Sequence, residues 1–188
     1  MKKGLITGGI IVGIILLLVV MFSSTYNSLV SKEEEVEGKL ADISVQLERR
    51  ADLIPNLVST VKGYVSHEQS VIDSVTKARE NLVNADSAEE MASANQELTT
   101  ALNNLLVIVE NYPDLKANTN FIQLQDELAG TENRIAVARN DYNDAVKDYN
   151  KTIKSFPKNI LAGMFGFEEK EYFEASDSAN EVPDVSFE

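Results

Sequence analysis

The hydrophobic pattern of the chain changes sharply at Phe22. Residues 5–22 form an uncharged, mostly apolar stretch of 18 residues, and Lys2 and Lys3 come directly before it. A helix rises about 1.5 Å per residue, so the stretch measures about 27 Å, close to the roughly 30 Å hydrocarbon core of a bilayer. The pattern therefore predicts a transmembrane helix at residues 5–22 behind a short N-terminus at residues 1–4.

The apolar stretch is longer than the core of a cleaved signal peptide, which has about 7–15 residues followed by a small-x-small cleavage site. No Ala-x-Ala pattern follows Met21, so we interpret the stretch as an uncleaved signal-anchor. Lys2 and Lys3 precede it, and the next basic residue, Lys32, stands among four glutamates. The positive-inside rule predicts a cytoplasmic N-terminus and a domain outside the cytoplasm. The opposite orientation, with the domain in the cytoplasm, is the alternative.

After the span, apolar residues recur alternately three and four positions apart, which is the spacing of amphipathic helices. The first such seam runs from Val36 to Tyr64 and includes Arg50. Pro55 lies off the seam and predicts a kink or a break near Asp52, because proline removes one helix hydrogen bond. Within a domain at residues 23–155, the pattern predicts four helices, at about residues 27–64, 67–84, 88–111 and 115–155.

Two helix starts carry the sequence of a capping box, Ser66 to Gln69 before the second helix and Ser87 to Glu90 before the third. Four amphipathic helices joined by short connections favour an antiparallel bundle. The predicted fold is all-α: an N-terminal transmembrane helix followed by an antiparallel four-helix bundle with two long and two shorter helices. The first and fourth helices are long enough to form a two-stranded stalk near the membrane.

Residues 156–188 have a different character. A short apolar segment, residues 160–167, is followed by an acidic tail that we predict to be disordered, with a short docked piece around Tyr172 and Phe173. The apolar segment has two interpretations: it lies in the membrane interface, or it covers an open end of the bundle.

Charge and composition exclude several functions. The formal net charge is −13, from 17 Lys+Arg against 30 Asp+Glu, which argues against a nucleic-acid partner. The sequence contains no cysteine and one histidine, His67, so thiol chemistry and a histidine-based metal site are excluded. It also lacks a Gly-rich phosphate loop and a nucleophile motif. We therefore predict no catalytic residue, no metal and no cofactor.

A stripe of lysines on the fourth helix matches a run of glutamates on the first. The stripe either pairs with the glutamates between antiparallel helices, or it faces lipid and binds anionic headgroups. The lysines are Lys147, Lys151, Lys154 and Lys158, and the glutamates are Glu33, Glu34, Glu35 and Glu37.

Arg50 stands at a seam position where an apolar residue is expected. A half-buried guanidinium needs an acceptor, and Glu110 or Glu127 on a neighbouring helix could supply one. The arginine is therefore part of either a structural ion pair or an interaction site. The candidate cluster consists of Arg49, Arg50, Asp52, Arg134 and Arg139.

Several longer motifs carry a resemblance to a known family. They are QLERRADLIPNLV at residues 46–58, YPDLKA at 112–117, LQDEL at 124–128 and TENRIAVAR at 131–139. The chain closely resembles the LemA family of bacterial membrane-anchored proteins, although it has Leu40 where relatives usually carry a tryptophan. The resemblance implies a four-helix bundle behind one N-terminal span. It implies no established activity and supplies no catalytic residue.

These observations predict a non-enzymatic, membrane-tethered scaffold or adaptor of the cell envelope. It would bind another membrane or envelope protein through a helix face, and homo-oligomers could form through the stalk or through Gly4 and Gly8 of the anchor. Two alternatives stay open. The chain is an accessory or regulatory subunit of a membrane enzyme such as a protease, or it is a ligand sensor with a polar site in the bundle around Arg50.

Overall fold

The structure is a computed structural model that describes residues 2–65 and 67–173, with side chains from residue 8 onward. All regular elements in this part of the chain are helices. They are α1 (Lys2–Lys62), α2 (Gln69–Val83), α3 (Ala88–Val109), α4 (Pro113–Lys116), α5 (Thr119–Lys154) and α6 (Lys158–Phe165).

The first part of α1 is long and apolar enough to cross a membrane. Its most apolar 18-residue window has a mean hydropathy of 2.4, and none of that window is buried against the rest of the chain. The sequence predicted separate helices at residues 5–22 and 27–64, but α1 is continuous from Lys2 to Lys62. The four residues between Phe22 and Asn27 are polar, yet none of them is a proline or a glycine that would end a helix.

The described residues divide into two compact units. The anchor unit contains residues 2–38 and 144–170. The second unit contains residues 39–65, 67–143 and 171–173. Both α1 and α5 contribute residues to each unit.

Pro55 does not end α1, so of the kink or break predicted near Asp52 the break is wrong. Proline lacks the N–H that would bond to the carbonyl four residues earlier, which here belongs to Ala51. Arg79 of α2 replaces that donor, because its Nε donates to the Ala51 carbonyl oxygen at 2.9 Å. The helix hydrogen bond that proline removes is thus exchanged for a bond between two helices.

The seam of α1 forms the core of the second unit. Five of its apolar members are at most 3% exposed, whereas Leu40 is half-buried and Tyr64, beyond the end of α1, is 43% exposed. The buried members are Ile43, Leu47, Ile54, Leu57 and Val61. Facing positions on α3 are also buried: Ala94, Leu98, Ala101 and Leu105.

Helix starts follow the capping rules where the caps are complete. At α3, Ser87 Oγ accepts from the Glu90 N–H at 3.2 Å and the Glu90 carboxylate accepts from the Ser87 N–H at 3.4 Å, so the predicted capping box is present. Helix α2 begins at Gln69, two residues later than predicted, and its N-cap residue is Glu68 rather than Ser66. Ser66 lies outside the described residues.

The predicted fourth helix is two helices. Pro113 opens the short α4, and α5 begins only at Thr119. The carboxamide of Asn118 fixes this start, because its Oδ1 accepts from the backbone N–H groups of Asn120 at 2.9 Å and Phe121 at 3.1 Å.

The apolar segment after α5 is helical. It forms α6, which ends at Gly166 with φ of 77°, a left-handed conformation that favours glycine. Beyond it, asparagine side chains hold two residues of the tail, one of which is Phe173 of the docked piece predicted around Tyr172 and Phe173. In the anchor unit, Asn150 donates to the Lys170 carbonyl at 2.8 Å and accepts from its N–H at 3.0 Å.

In the second unit, Asn143 holds Phe173 in the same way. It donates to the Phe173 carbonyl at 3.2 Å and accepts from the Phe173 N–H at 2.8 Å. A primary carboxamide has a donor and an acceptor side by side, so it satisfies both backbone groups of an extended residue. The rest of the acidic tail, residues 174–188, lies outside the described part of the chain.

Candidate functional site

Arg50 of α1 lies in the interior of the second unit, where its side chain connects three helices. Its residue surface is 3% exposed. Nη1 donates to Asn95 Oδ1 at 2.5 Å and also to the carboxylate of Glu132. Nη2 donates to Thr99 Oγ1 at 3.1 Å, while the Thr99 hydroxyl donates to the Asn95 carbonyl at 2.9 Å. Arg50, Asn95, Thr99 and Glu132 are called the Arg50 cluster below.

Burial disfavours the charged guanidinium, so desolvation lowers the pKa of Arg50, and the Glu132 carboxylate opposes this shift. The side chain nevertheless stays protonated, because an arginine is not deprotonated in proteins. Glu132 keeps 40% of its side chain exposed, so the ion pair joins a buried guanidinium to a carboxylate that is in contact with solvent. Nε of Arg50 is buried without a hydrogen-bond partner among residues 2–65 and 67–173.

The acceptors predicted for Arg50 were wrong. Glu110 pairs instead with Lys116 at 2.6 Å, and Glu127 is exposed. Glu132 takes the role because it follows the fully buried Thr131 and lies one helix turn after Leu128. A charge at this position reaches the interior from the edge of the buried face of α5.

The other residues of the predicted cluster do not join Arg50. Arg49 and Asp52 are exposed on α1. Arg134 is exposed and lines a separate groove together with Asp42 and Asp141. Arg139 lies over the ring of Phe173, with Cζ 5.1 Å from the ring centroid.

A groove of about 440 Å³ lies against the Arg50 cluster, between α1, α3 and α5. Leucines make most of its apolar wall, and Leu106 is 39% exposed there. Asp126 and Glu132 supply carboxylates, and Asn103 and Gln125 supply amides. The leucines are Leu57, Leu102, Leu105, Leu106 and Leu128, and we call this surface the leucine groove.

In the anchor unit, the glutamates of α1 pair with a lysine that the sequence did not single out. Lys170 Nζ lies 3.0 Å from Glu33 and 3.6 Å from Glu37. The predicted stripe behaves differently: Lys154 pairs with Glu169 at 2.7 Å, and Lys147 and Lys151 are exposed. Glu33 and Glu37 therefore pair with Lys170 and not with the predicted stripe. Asn150 positions Lys170 by holding its backbone.

Tyr149 is fully buried in the anchor unit, and its hydroxyl has no hydrogen-bond partner among the described residues. Burial raises the pKa of Tyr149 above its ordinary value of 10.0, and the charge of Glu33 adds to the effect. The hydrogen bond with Glu33 raises the pKa of Lys170 above its ordinary 10.5. Both groups hold their protons more tightly in the folded chain than in the unfolded one.

The raised pKa values of Tyr149 and Lys170 predict that the folded chain loses stability at alkaline pH. Above pH 10.0 for Tyr149 and 10.5 for Lys170, the unfolded chain releases protons that the folded chain retains, so the stabilisation present below these values is lost as the pH rises. Tyr149→Phe should remove part of this loss. It should also raise the free energy of unfolding at pH 8 by about 1 kcal/mol, because an unpartnered buried hydroxyl is removed.

The measurement is urea unfolding of the full chain in detergent micelles, followed by circular dichroism from pH 8 to pH 11. Tyr172→Phe is the control, since Tyr172 is 41% exposed. An alkaline loss that is equally steep in the wild type and in Tyr149→Phe would contradict the role given to Tyr149.

The sequence motifs around Arg50 are those of a family. The model of the LemA family matches residues 39–187, which is more than half of the chain and includes all four residues of the Arg50 cluster. This chain belongs to the LemA family. Together with the apolar first part of α1, the match identifies a membrane protein.

Curated relatives of this LemA-family chain carry two kinds of name. Magnetosome proteins MamQ 1 and MamQ 2 of Paramagnetospirillum magneticum are each 29% identical over 188 residues, covering 84% of this chain and 69% of the relative. Protein LemA of Metamycoplasma hominis is 27% identical over 113 residues, covering 58% of this chain and 50% of the relative.

Sequence reasoning missed the polar partners of Arg50 in this LemA-family chain. Asn95 is 4% exposed and lies directly after the seam residue Ala94, and Thr99 follows it by one helix turn. The sequence feature that could have indicated these partners is a pair of small polar residues one turn apart beside an apolar seam. Within the described residues, no three His, Cys, Asp or Glu side chains are placed to hold a metal ion.

Proposed function

We propose that this LemA-family protein is a non-enzymatic, membrane-tethered scaffold or adaptor of the cell envelope, and that its second unit binds a helix of another membrane or envelope protein. The leucine groove carries the proposal. It lies between helices and leaves Leu106 39% exposed, whereas its other four leucines are at most 8% exposed. A groove of this kind is typical of proteins that bind an amphipathic helix.

The proposal includes an antiparallel four-helix bundle as the architecture of the second unit. Side-chain bonds between helices support it. Arg79 of α2 bonds to α1 at Ala51, and Asn81 of α2 donates to Glu97 of α3 at 2.8 Å. Arg50 joins α1 to α3 and α5. Each of α1, α2, α3 and α5 therefore has a polar contact with at least one other helix of the set.

The chemistry of the groove defines its partner. Asp126 and Glu132 place carboxylates beside its leucines, and the whole chain has a formal net charge of −13. A helix with leucine-sized side chains on one face and a lysine or arginine beside them would satisfy both features. Lysine placement around the apolar stretch favours a second unit outside the cytoplasm.

Substituting Leu106 with aspartate should strongly reduce capture of the partner. The chain contains no cysteine, so Asn103→Cys at the groove introduces a single attachment point for a photo-crosslinker in cells. One protein should dominate the captured material, crosslinked through an apolar helix that carries a basic residue. Leu106→Asp should reduce its yield by at least about tenfold, because a carboxylate added to an apolar contact is desolvated without a partner.

Val107→Asp is the matched control. Val107 is the next residue of α3, is 71% exposed and does not line the groove. Equal losses in the two variants, or capture that survives Leu106→Asp, would remove the groove from the proposal. Labelling of Asn103→Cys by a membrane-impermeant maleimide tests the orientation, and protection from the reagent would place the second unit in the cytoplasm.

Two other functions make different predictions for the same experiment. For an accessory subunit, the captured protein is a membrane enzyme such as a protease, recovered in a fixed ratio. For a ligand sensor, no protein is captured. The sensor is favoured by one observation, the buried Arg50 Nε that has no partner among the described residues, beside a groove of about 440 Å³.

A further inference from the structure

In the anchor unit, α6 has one buried face and one exposed apolar face. Leu161 and Ala162 are 4% and 3% exposed. On the adjoining side of the helix, Ile160 is 54% exposed and Met164, one turn later, is 71% exposed. Phe156, in the turn before α6, is 82% exposed. Large exposed apolar side chains grouped in this way normally mark a surface that contacts a membrane or another protein.

Contacts with α1 place this surface near the end of the apolar stretch. Tyr26 packs edge-on against Phe165 at 5.0 Å and against Phe167 at 5.9 Å between ring centroids. Tyr26 is four residues after Phe22, the last residue of the stretch. Four helical residues rise about 6 Å, which is the depth of the headgroup layer beside the hydrocarbon core. Aromatic residues are enriched at that depth.

Three lysines surround a groove beside Phe156. Lys32 of α1, Lys151 of α5 and Lys158 of α6 line a space of about 260 Å³. Asp148 is the acidic side chain in its wall, so the lysines outnumber the carboxylate. An amine cluster at the edge of an exposed apolar surface is the arrangement that binds anionic lipid headgroups.

We propose that α6 and Phe156 lie in the membrane interface and bind anionic phospholipid. Ile160 and Met164 enter the boundary between headgroups and acyl chains, and the lysine groove, with Phe156 at its edge, lies farther out and receives the headgroup phosphate. The helix is then a second membrane contact in addition to the transmembrane anchor. This inference does not depend on the leucine groove or its partner.

The sequence makes a direct test available, because the chain contains no tryptophan. Met164→Trp introduces a single tryptophan, which is excited selectively at about 295 nm, into the full chain. This variant is reconstituted in nanodiscs that contain lipid brominated near the headgroup end of the acyl chain. Ile160→Trp is the second reporter, for the case in which Met164→Trp does not fold. We expect the brominated lipid to quench either reporter by about twofold or more, as a side chain within the interface requires.

Glu35→Trp is the control in the same unit. Glu35 is exposed on α1, thirteen residues after Phe22, or about 20 Å of helix. It should not be quenched. Equal quenching at positions 35 and 164, or no quenching at 164 and 160, would overturn the proposal. A blue-shifted emission that depends on protein concentration and not on bromine would assign the surface to a second copy of the chain, which also overturns it.

The lipid charge is tested in the Met164→Trp background. Brominated phosphatidylglycerol should quench about twofold more than brominated phosphatidylcholine, and Lys151→Gln with Lys158→Gln should abolish the difference. Lys147→Gln with Lys154→Gln removes the same charge from α5 without removing a residue that lines the groove. If both pairs act alike, or if the two lipids quench equally in the wild-type lysine background, the headgroup site is disproved.

Discussion

Arg50→Ala should lower the free energy of unfolding by about 2–4 kcal/mol, since removing one member of a buried ion pair leaves the other groups unsatisfied. Here the buried Asn95 loses the donor to its Oδ1, and the space of a 3% exposed arginine is left empty. Glu132 is 40% exposed and can regain water, so the cost should stay below that of a completely dry pair. Urea unfolding of the full chain in detergent, followed by circular dichroism, measures the change.

The neighbouring residue provides the control for Arg50→Ala. Arg49→Ala removes the same side chain from an exposed position and should cost less than about 0.5 kcal/mol. A double-mutant cycle with Glu132→Gln should give a coupling energy of about 1–3 kcal/mol. Equal losses at positions 49 and 50, or no coupling, would show that the Arg50 cluster does not stabilise the fold.

Phe173→Ala should have the second large effect, a cost of about 3 kcal/mol that is concentrated in the segment after α6. Phe173 is 1% exposed, its ring centroid lies 6.5 Å from that of Tyr142, and Arg139 covers its face. No helix or strand includes Phe173, so its burial and its two bonds to Asn143 hold the segment. Without the ring, the segment should open locally.

Trypsin provides the measurement, because Lys170 lies three residues before Phe173. Cleavage after Lys170 should accelerate by at least about tenfold in Phe173→Ala, as a loss of 1.4 kcal/mol or more from the local closing equilibrium predicts. Tyr172→Ala is the control, since Tyr172 is 41% exposed. Similar acceleration in both variants would mean that Phe173 has no special role in fixing the segment.

Contacts that follow the helical repeat were predictable from this sequence, and contacts that do not follow it were not. The seam of α1 was predictable because apolar spacing reports directly which face of a helix is buried, as at Ile43, Leu47 and Ile54. Arg50 was recognisable as an exception to that spacing. Its partner Glu132 was not, because the choice among several acidic residues depends on how the neighbouring helix is rotated.

The position of the segment after α6 could not be predicted from apolar spacing, because its described residues contain no helix or strand. Asn143 and Asn150 belong to two Tyr-Asn pairs of the family motifs, but nothing in the repeat shows that each holds both backbone groups of one tail residue. A pattern that follows repeats of three and four cannot detect a contact between a helix and a segment without a repeat. The same limit applies to Lys170, whose pairing with Glu33 depends on where Asn150 fixes its backbone.

The bond from Arg79 to the Ala51 carbonyl gives Pro55 a meaning for protein engineering. Replacing a proline inside a helix is a common stabilising choice, because the lost hydrogen bond and the ring clash cost about 3 kcal/mol. In this chain, Pro55→Ala would add an N–H donor to a carbonyl oxygen that already accepts from Arg79, so the usual gain in stability should be smaller. Pro55 and Arg79 therefore act together in fixing the register of α2 on α1. An engineered change at one of them should be accompanied by a change at the other.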